Sequence, residues 1–77
     1  MSKGRGIPSL KLRSILKVLT AAGFIPLRTR GSHTFFHHPD CRRLTVSLHP
    51  SAEAGPPIVK KIIRDAGLTE AQFLELL

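Results

Sequence analysis

The sequence predicts an α+β domain in which a three-stranded antiparallel sheet is covered on one face by helices. Apolar residues recur at helical spacing near both ends of the 77-residue chain and alternate with polar residues between them. Turn residues divide the chain into a helix, three strands, a helix and a short helix. Helices would cover the apolar face of such a meander, and we expect the opposite face to remain open. Residues 9–77 are expected to form one domain, after a flexible basic lead-in over residues 1–8.

The first helix is predicted from four apolar residues that share one helical face: Leu12, Ile15, Leu16 and Leu19. We expect Ser9 to cap the start of this helix. Gly23 fits the position just past its end, where a left-handed backbone is preferred.

Three extended segments follow the first helix. The segment from Phe24 to Arg30 contains Pro26, which favours an edge strand or a bulge. Gly31 is expected to form a turn before a second strand, Ser32 to His38, which contains two phenylalanines.

A hairpin turn is predicted at Pro39 and Asp40 and runs through Cys41. Beyond it, apolar and polar residues alternate, which predicts a third strand with one buried face. The apolar members of this alternation are Leu44, Val46 and Leu48.

A loop over residues 49–57 is followed by a second helix, which is expected to begin near Pro57 and to run to Ala66, where Gly67 terminates it. Ile58 and Ile62 are expected to face the core, with Val59 and Ile63 as further candidates. Thr69 and Gln72 match a capping box for a last helix, Glu70 to Leu77, whose apolar face would contain Phe73, Leu74 and Leu77.

The formal net charge of +7 is unevenly distributed, because the chain has seven basic residues and no Asp or Glu before Asp40. Such a field attracts polyanions, of which nucleic acid is the commonest. A generally basic surface or an acidic protein partner would fit the same charge.

A lone cysteine favours the cytosol, and no apolar run is long enough for a signal peptide or a membrane span.

Four histidines, His33, His37, His38 and His49, are the residues most suited to chemistry at neutral pH. A metal site is disfavoured, because adjacent strand residues point to opposite faces and His33 and His37 lie about 13 Å apart along a strand. Structural roles as half-buried strand or turn residues suit His37 and His38. Acid–base catalysis suits His33, which follows Gly31 and Ser32 at the start of a strand.

An ordered set of motifs along the chain resembles the HicA toxin family. The motifs are Gly23-Phe24, Arg30-Gly31-Ser32-His33, Phe36, His38-Pro39-Asp40, Thr45-Val46, His49, Ala66-Gly67-Leu68 and Phe73-Leu74-Glu75-Leu76. The resemblance extends from about Leu12 to the end of the chain. It implies a fold like that of double-stranded-RNA-binding domains, ribonuclease activity on mRNA without metal or cofactor, and a HicB-like antitoxin as partner. It places the catalytic histidine at His33.

The sequence departs from the family pattern at two places. Cys41 occupies a turn position where the family usually has glycine, which affects the geometry of the hairpin. Residues 51–57 replace a charged segment, often with lysine, which affects RNA contacts and substrate preference.

Further residues are assigned to RNA by charge and position. Arg28, Arg30 and Ser32 flank His33 in the sequence and are expected to contact the phosphate. Lys60, Lys61 and Arg64 would bind the backbone from an exposed arc of the second helix, although such an arc is also typical of a solvated surface. His49 is a possible accessory residue whose role the resemblance leaves open.

Three functional classes follow from these residues. The leading hypothesis is a cytoplasmic toxin that cleaves RNA and is neutralised by an antitoxin. The alternatives are a non-catalytic RNA-binding module of the same fold and an interaction protein with an acidic partner. His33 favours the enzyme, because a module that only binds RNA does not need a titratable group there. The residues specify neither a cleavage preference nor an oligomeric state.

Overall fold

The computed structural model describes residues 6–49 and 51–77 and confirms the predicted α+β class. The elements are β1 (Leu10–Lys11), α1 (Leu12–Ala21), β2 (Ile25–Arg30), β3 (His33–His37), β4 (Arg43–Ser47), β5 (Glu53–Ala54), α2 (Pro56–Asp65) and α3 (Glu70–Leu76). Strands β2, β3 and β4 form an antiparallel sheet in that order, and β1 pairs with β5. Residues 1–5 of the expected lead-in and Pro50 of the expected loop lie outside the described residues.

Helix α1 ends as its sequence predicts but begins differently. Gly23 has a φ of 99°, and the N–H groups of Gly23 and Phe24 donate to the carbonyls of Thr20 and Leu19, as is typical of a left-handed helix end. The expected Ser9 cap is wrong, because the helix starts after Lys11 with no side-chain cap. Residues 10 and 11 instead form the short ladder with β5.

Strand β2 is an edge strand with a bulge, as Pro26 predicts. The pairing of β2 with β3 shifts register between Pro26 and Arg28, which leaves Leu27 without a partner residue. Proline cannot donate a hydrogen bond to the ladder, so an edge position costs little.

One face of the sheet packs against α1 and α2. Thr34 and Phe36 of β3 and Leu44 and Val46 of β4 are buried on this face. Helix α2 and its C-cap residue contribute a buried stripe that consists of Val59, Ile62, Ile63 and Ala66. The expectation that Ile58 faces the core is wrong: its side chain is 47% exposed, because it lies one helical position outside that stripe.

Helix α3 begins with the predicted capping box. The N–H of Gln72 donates to Thr69 Oγ1 over 3.0 Å, and the N–H of Thr69 donates to Gln72 Oε1 over 2.8 Å. Phe73 is fully buried, whereas Leu77 follows the helix and is 40% exposed.

The turn between β3 and β4 contacts the C-terminal ends of both longer helices through a turn network of three residues, His38, Asp40 and Arg42. His38 Nε2 lies 3.2 Å from the carbonyl of Ala22 at the end of α1. The Arg42 guanidinium donates to the carbonyl of Ala66 at the end of α2, and its Nε donates to Asp40 Oδ2 over 2.8 Å. The hairpin therefore fixes the two helix ends relative to the sheet.

Phe24 lies beneath the turn network. Its ring meets His38 edge-on, with 5.0 Å between the ring centroids, and the Arg42 guanidinium lies 5.2 Å above it. Desolvation raises the pKa of Asp40. Hydrogen bonds from the Arg42 N–H and guanidinium lower this pKa by more than desolvation raises it, so it lies below its ordinary value. The carboxylate is therefore charged at neutral pH and holds the Arg42 side chain.

Cys41 has a φ of 78° within this turn. Glycine, which the family resemblance leads us to expect at this position, adopts such a backbone most readily. Cys41 therefore places a side chain at a turn position whose positive φ is strained for residues other than glycine.

Replacing Gly23 with alanine is expected to lower the free energy of unfolding by about 2–4 kcal/mol. A Cβ at residue 23 would lie 2.8 Å from His38 Nε2, so a clash with the turn network adds to the cost of the positive φ. Gly31→Ala is the matched control, because φ is 61° there and a Cβ would meet no atom within 4 Å. It should cost about 1 kcal/mol in urea unfolding followed by circular dichroism. Equal losses in the two variants would contradict this role of the His38 contact.

Candidate active site

The face of the sheet opposite the helices, called the open face here, presents its side chains in three rows. Residues that lie directly opposite each other in antiparallel strands point to the same side of the sheet. The rows, each read from β2 through β3 to β4, are Arg30–His33–Ser47, Arg28–Phe35–Thr45 and Ile25–His37–Arg43. Along β3 and β4, successive rows are two residues apart, which is about 7 Å.

His33 lies at the centre of the first row. It is exposed at the start of β3, and its Nδ1 lies 2.7 Å from Ser47 Oγ on β4. A serine hydroxyl both donates and accepts hydrogen bonds, so Ser47 can hold the ring in either neutral tautomer. Among the described residues, no other hydrogen bond reaches this ring, so Nε2 is accessible to a ligand.

Sequence reasoning missed Ser47. Its partnership with His33 depends on strand register, and that register follows from counting outward on both strands from the turn at Asp40. The predicted turn at Pro39 and Asp40 therefore contained this signal, but the pairing follows only when Asp40 is taken as the centre of the turn.

Arginines on the edge strand make the open face positively charged. Arg30 lies opposite His33, and the Arg28 guanidinium lies 5.4 Å above the centre of the Phe35 ring. Strands β2, β3 and β4 contain no Asp or Glu. Within residues 6–49 and 51–77, neither these two arginines nor Arg43 forms a salt bridge. Their charges are therefore available to an anionic ligand.

Ser32 belongs to the turn that precedes His33, but it is half-buried. Its carbonyl accepts a hydrogen bond from the N–H of Leu48 over 3.0 Å, which extends the pairing of β3 with β4. The residue also lines a cleft of about 330 Å³ between α1 and β2, on the helical side of the sheet. The structure thus places Ser32 beside His33 in sequence but at the border between the two faces.

The three cations of α2 do not join this site. Lys60, Lys61 and Arg64 are exposed on a helix that covers the other face of the sheet, and Lys61 Nζ bonds to Asp65 over 2.8 Å. The structure therefore brings Arg28 and Arg30 together with His33, whereas the α2 cations form a second, separate basic surface.

His49 follows β4 and makes local contacts. Its Nδ1 accepts the N–H of Ser51 over 3.2 Å and lies 2.8 Å from Ser51 Oγ, so the neutral ring holds its proton on Nε2. Of the remaining histidines, His38 has the structural role expected of it, and His37 is half-buried on the third row of the open face.

Neither a cluster of metal ligands nor a helix suited to a membrane is present among the described residues. In the part of the chain that the structure describes, no three His, Cys, Asp or Glu side chains are grouped so that they could hold a metal ion. Among the helices of the same residues, none has the length and hydropathy that crossing a membrane requires.

Comparison with known proteins identifies a family for this chain. Residues 12–68 match the family model described as the HicA toxin of bacterial toxin–antitoxin systems. The matched segment is 57 of the 77 residues and includes α1, all three strands of the sheet and α2. No match was found among curated proteins.

Replacing Ser47 with alanine should change the nitrogen chemical shifts of the His33 ring, because Nδ1 loses its hydrogen-bond partner. Long-range ¹H–¹⁵N correlation spectra over a pH titration measure this change. Thr45→Ala is the matched control, since Thr45 lies on the same strand and face but opposite Phe35. Unchanged His33 shifts in Ser47→Ala would mean that the hydrogen bond does not form in solution.

Proposed function

The chain belongs to the HicA toxin family, and on that premise we propose that it is a metal-independent endoribonuclease that cleaves mRNA by acid–base catalysis at His33. The observation that carries the proposal is the arrangement of the first row. An exposed imidazole is fixed through Nδ1 by Ser47 and lies opposite Arg30, on a face without carboxylates.

Cleavage of RNA without a metal ion uses the 2′-hydroxyl of the substrate as the nucleophile. The 2′-oxygen attacks the adjacent phosphorus while the bond from phosphorus to the 5′-oxygen breaks. The products are a 2′,3′-cyclic phosphate and a free 5′-hydroxyl. One proton leaves the 2′-hydroxyl and one is added to the 5′-oxygen, so a group that accepts and donates protons near neutral pH accelerates the reaction.

His33 supplies this group in the proposed mechanism. With Nδ1 protonated and bound to the Ser47 oxygen, Nε2 is free to take the proton of the 2′-hydroxyl. In the imidazolium form, Nδ1–H again donates to the Ser47 oxygen, and Nε2–H carries the proton that the 5′-oxygen needs. The same contact thus supports His33 as base or as acid, and such catalysis contributes roughly 10²–10⁴-fold, or about 3–5 kcal/mol of the barrier.

Arg28 and Arg30 bind the phosphate and the charge that develops on it in this proposal. Guanidinium groups pair well with phosphate oxygens, and both arginines lack a carboxylate partner among the described residues. Ser32 contributes through the turn that precedes His33.

We propose a HicB-like antitoxin as the protein partner, because the family belongs to toxin–antitoxin systems. With mRNA as the substrate, the protein would act in the cytoplasm. The positive open face attracts RNA and an acidic partner alike. A non-catalytic RNA-binding module of the same fold is the outcome that remains if the protein binds RNA without cutting it.

His33→Ala should lower the rate of RNA cleavage by roughly 10²-fold or more, with the assay run in excess EDTA. The fold and the RNA affinity should survive, because His33 is exposed and the arginines supply the charge. Mass spectrometry should find 2′,3′-cyclic phosphate ends with the native protein, and 2′-deoxy substitution at the scissile position should block cutting.

Two results would count against this mechanism. Cleavage at the native rate by a folded His33→Ala variant would remove His33, and His49 would be the next residue to replace. Loss of native activity in EDTA that zinc or magnesium restores would contradict the metal-free reaction.

The α2 cations give a separate prediction about binding. Lys60→Ala combined with Arg64→Ala should weaken RNA binding and flatten its salt dependence by about one unit for each lost phosphate contact. The rate at saturating RNA should not change, because α2 lies on the other side of the sheet from His33. Lys61→Ala should have a smaller effect, since Asp65 already neutralises this ammonium. A salt dependence equal to that of the native protein would exclude α2 from the RNA interface.

A further inference from the structure

We propose that Phe35, with Arg28 and Arg43, forms a stacking site for one unpaired nucleobase next to the scissile phosphate. This inference rests on the proposed ribonuclease function and assigns single-stranded RNA as its substrate. It concerns the second and third rows of the open face. Of the residues in these rows, only Arg28 takes part in the reaction proposed at His33, where it contacts the phosphate.

The open face contains a shallow depression beside His33. Its volume is about 610 Å³, and its walls come from all three strands of the sheet. The lining residues are Leu27, Arg28, Phe35, Phe36, His37, Arg43, Leu44 and Thr45. The Phe35 ring is half-buried, and its opposite neighbour on β4, Thr45, is small and exposed. A partly exposed aromatic ring, with the Arg28 guanidinium over it, therefore lies in the middle of the sheet.

The bulge in β2 shapes this depression. Consecutive residues of a regular strand point to opposite faces, but Leu27 and Arg28 both line the same depression. The register shift after Pro26 accounts for this, because a bulge re-aims side chains. Leu27 is 63% exposed there, so the bulge adds an apolar wall beside the aromatic ring at the cost of exposing a leucine.

Charge around Phe35 favours a nucleotide over an uncharged aromatic ligand. Arg28 lies over the ring, and Arg43 lies on the neighbouring row of β4. Neither has a salt-bridge partner among the described residues. Bases stack on aromatic rings and on guanidinium planes, while phosphates pair with the guanidinium edges.

The distance between rows matches the chemistry of a neighbouring nucleotide. Phe35 lies one row from His33, about 7 Å along β3, which is comparable to the length of one extended nucleotide. A phosphate at His33 would thus place an adjacent base over Phe35. A base within a duplex is already stacked between its neighbours, so this site accepts unpaired nucleotides and discriminates little between the four bases.

The test combines the native protein and two Phe35 variants with two ligands. Native protein and Phe35→Leu are titrated with a short single strand of 2′-O-methyl RNA, which cannot be cut, and with an abasic strand of the same length and charge. We expect Phe35→Leu to weaken binding of the base-containing strand by roughly 10- to 100-fold and to leave the abasic strand unaffected. Phe35→Trp should retain the native affinity, which separates stacking from general packing. Urea unfolding confirms that each variant is folded.

The outcomes separate this proposal from the proposed function. Cleavage by the native protein together with unchanged affinity in folded Phe35→Leu would overturn the stacking site and leave the ribonuclease intact. Phe35-dependent binding without any cleavage would support the stacking site and contradict the ribonuclease. Equal losses for both strands would overturn the proposal, because they would assign Phe35 to the shape of the face. In a parallel titration with an acidic antitoxin, loss of antitoxin binding by Phe35→Leu with unchanged RNA affinity would overturn it as well and make the face a protein interface.

Discussion

The turn between β3 and β4 is the constraint on which the rest of the structure depends. One carboxylate, Asp40, holds Arg42, which donates to the C-cap carbonyl of α2, while His38 reaches the C-cap carbonyl of α1. Two helix ends that would otherwise leave carbonyls unsatisfied are thereby bonded to the sheet. Gly23 and Gly67 leave space for these side chains, since a Cβ at either position would press on His38 or Arg42.

This constraint has a consequence at the other surface of the sheet. With the helices fixed on one face, alternation along β3 sends Thr34 and Phe36 into the core and His33, Phe35 and His37 outward. The turn also sets the register, so that Ser47 meets His33 and Thr45 meets Phe35. The small side chains of β4 leave the imidazole and the aromatic ring accessible. The candidate site thus follows from the packing of residues that do not belong to it.

Much of the fold could be predicted from the sequence, because periodicity and turn residues act locally. Gly23, Pro26 and the pair Thr69–Gln72 each perform the expected role. Strands β1 and β5 escaped prediction, since a ladder of two residues has no periodicity to detect. Ile58 was placed in the core wrongly because it lies beside Val59, and only the position of the sheet decides which of the two is buried.

The candidate site could be predicted only as a set of residue types. His33 and its neighbouring arginines came from position in the chain and from resemblance to the HicA family. The same reasoning grouped them with Lys60, Lys61 and Arg64, which the structure places on the helical side. The contact of Ser47 with His33 and the position of Phe35 could be predicted only with the register of the sheet.

The central claim is that RNA binds the open face at His33. A ¹⁵N-labelled sample titrated with single-stranded RNA methylated at its 2′-hydroxyls tests this claim most directly. The account predicts that the His33 ring and the amides of β3 and β4 shift first, and shifts confined to α1 and α2 would contradict it.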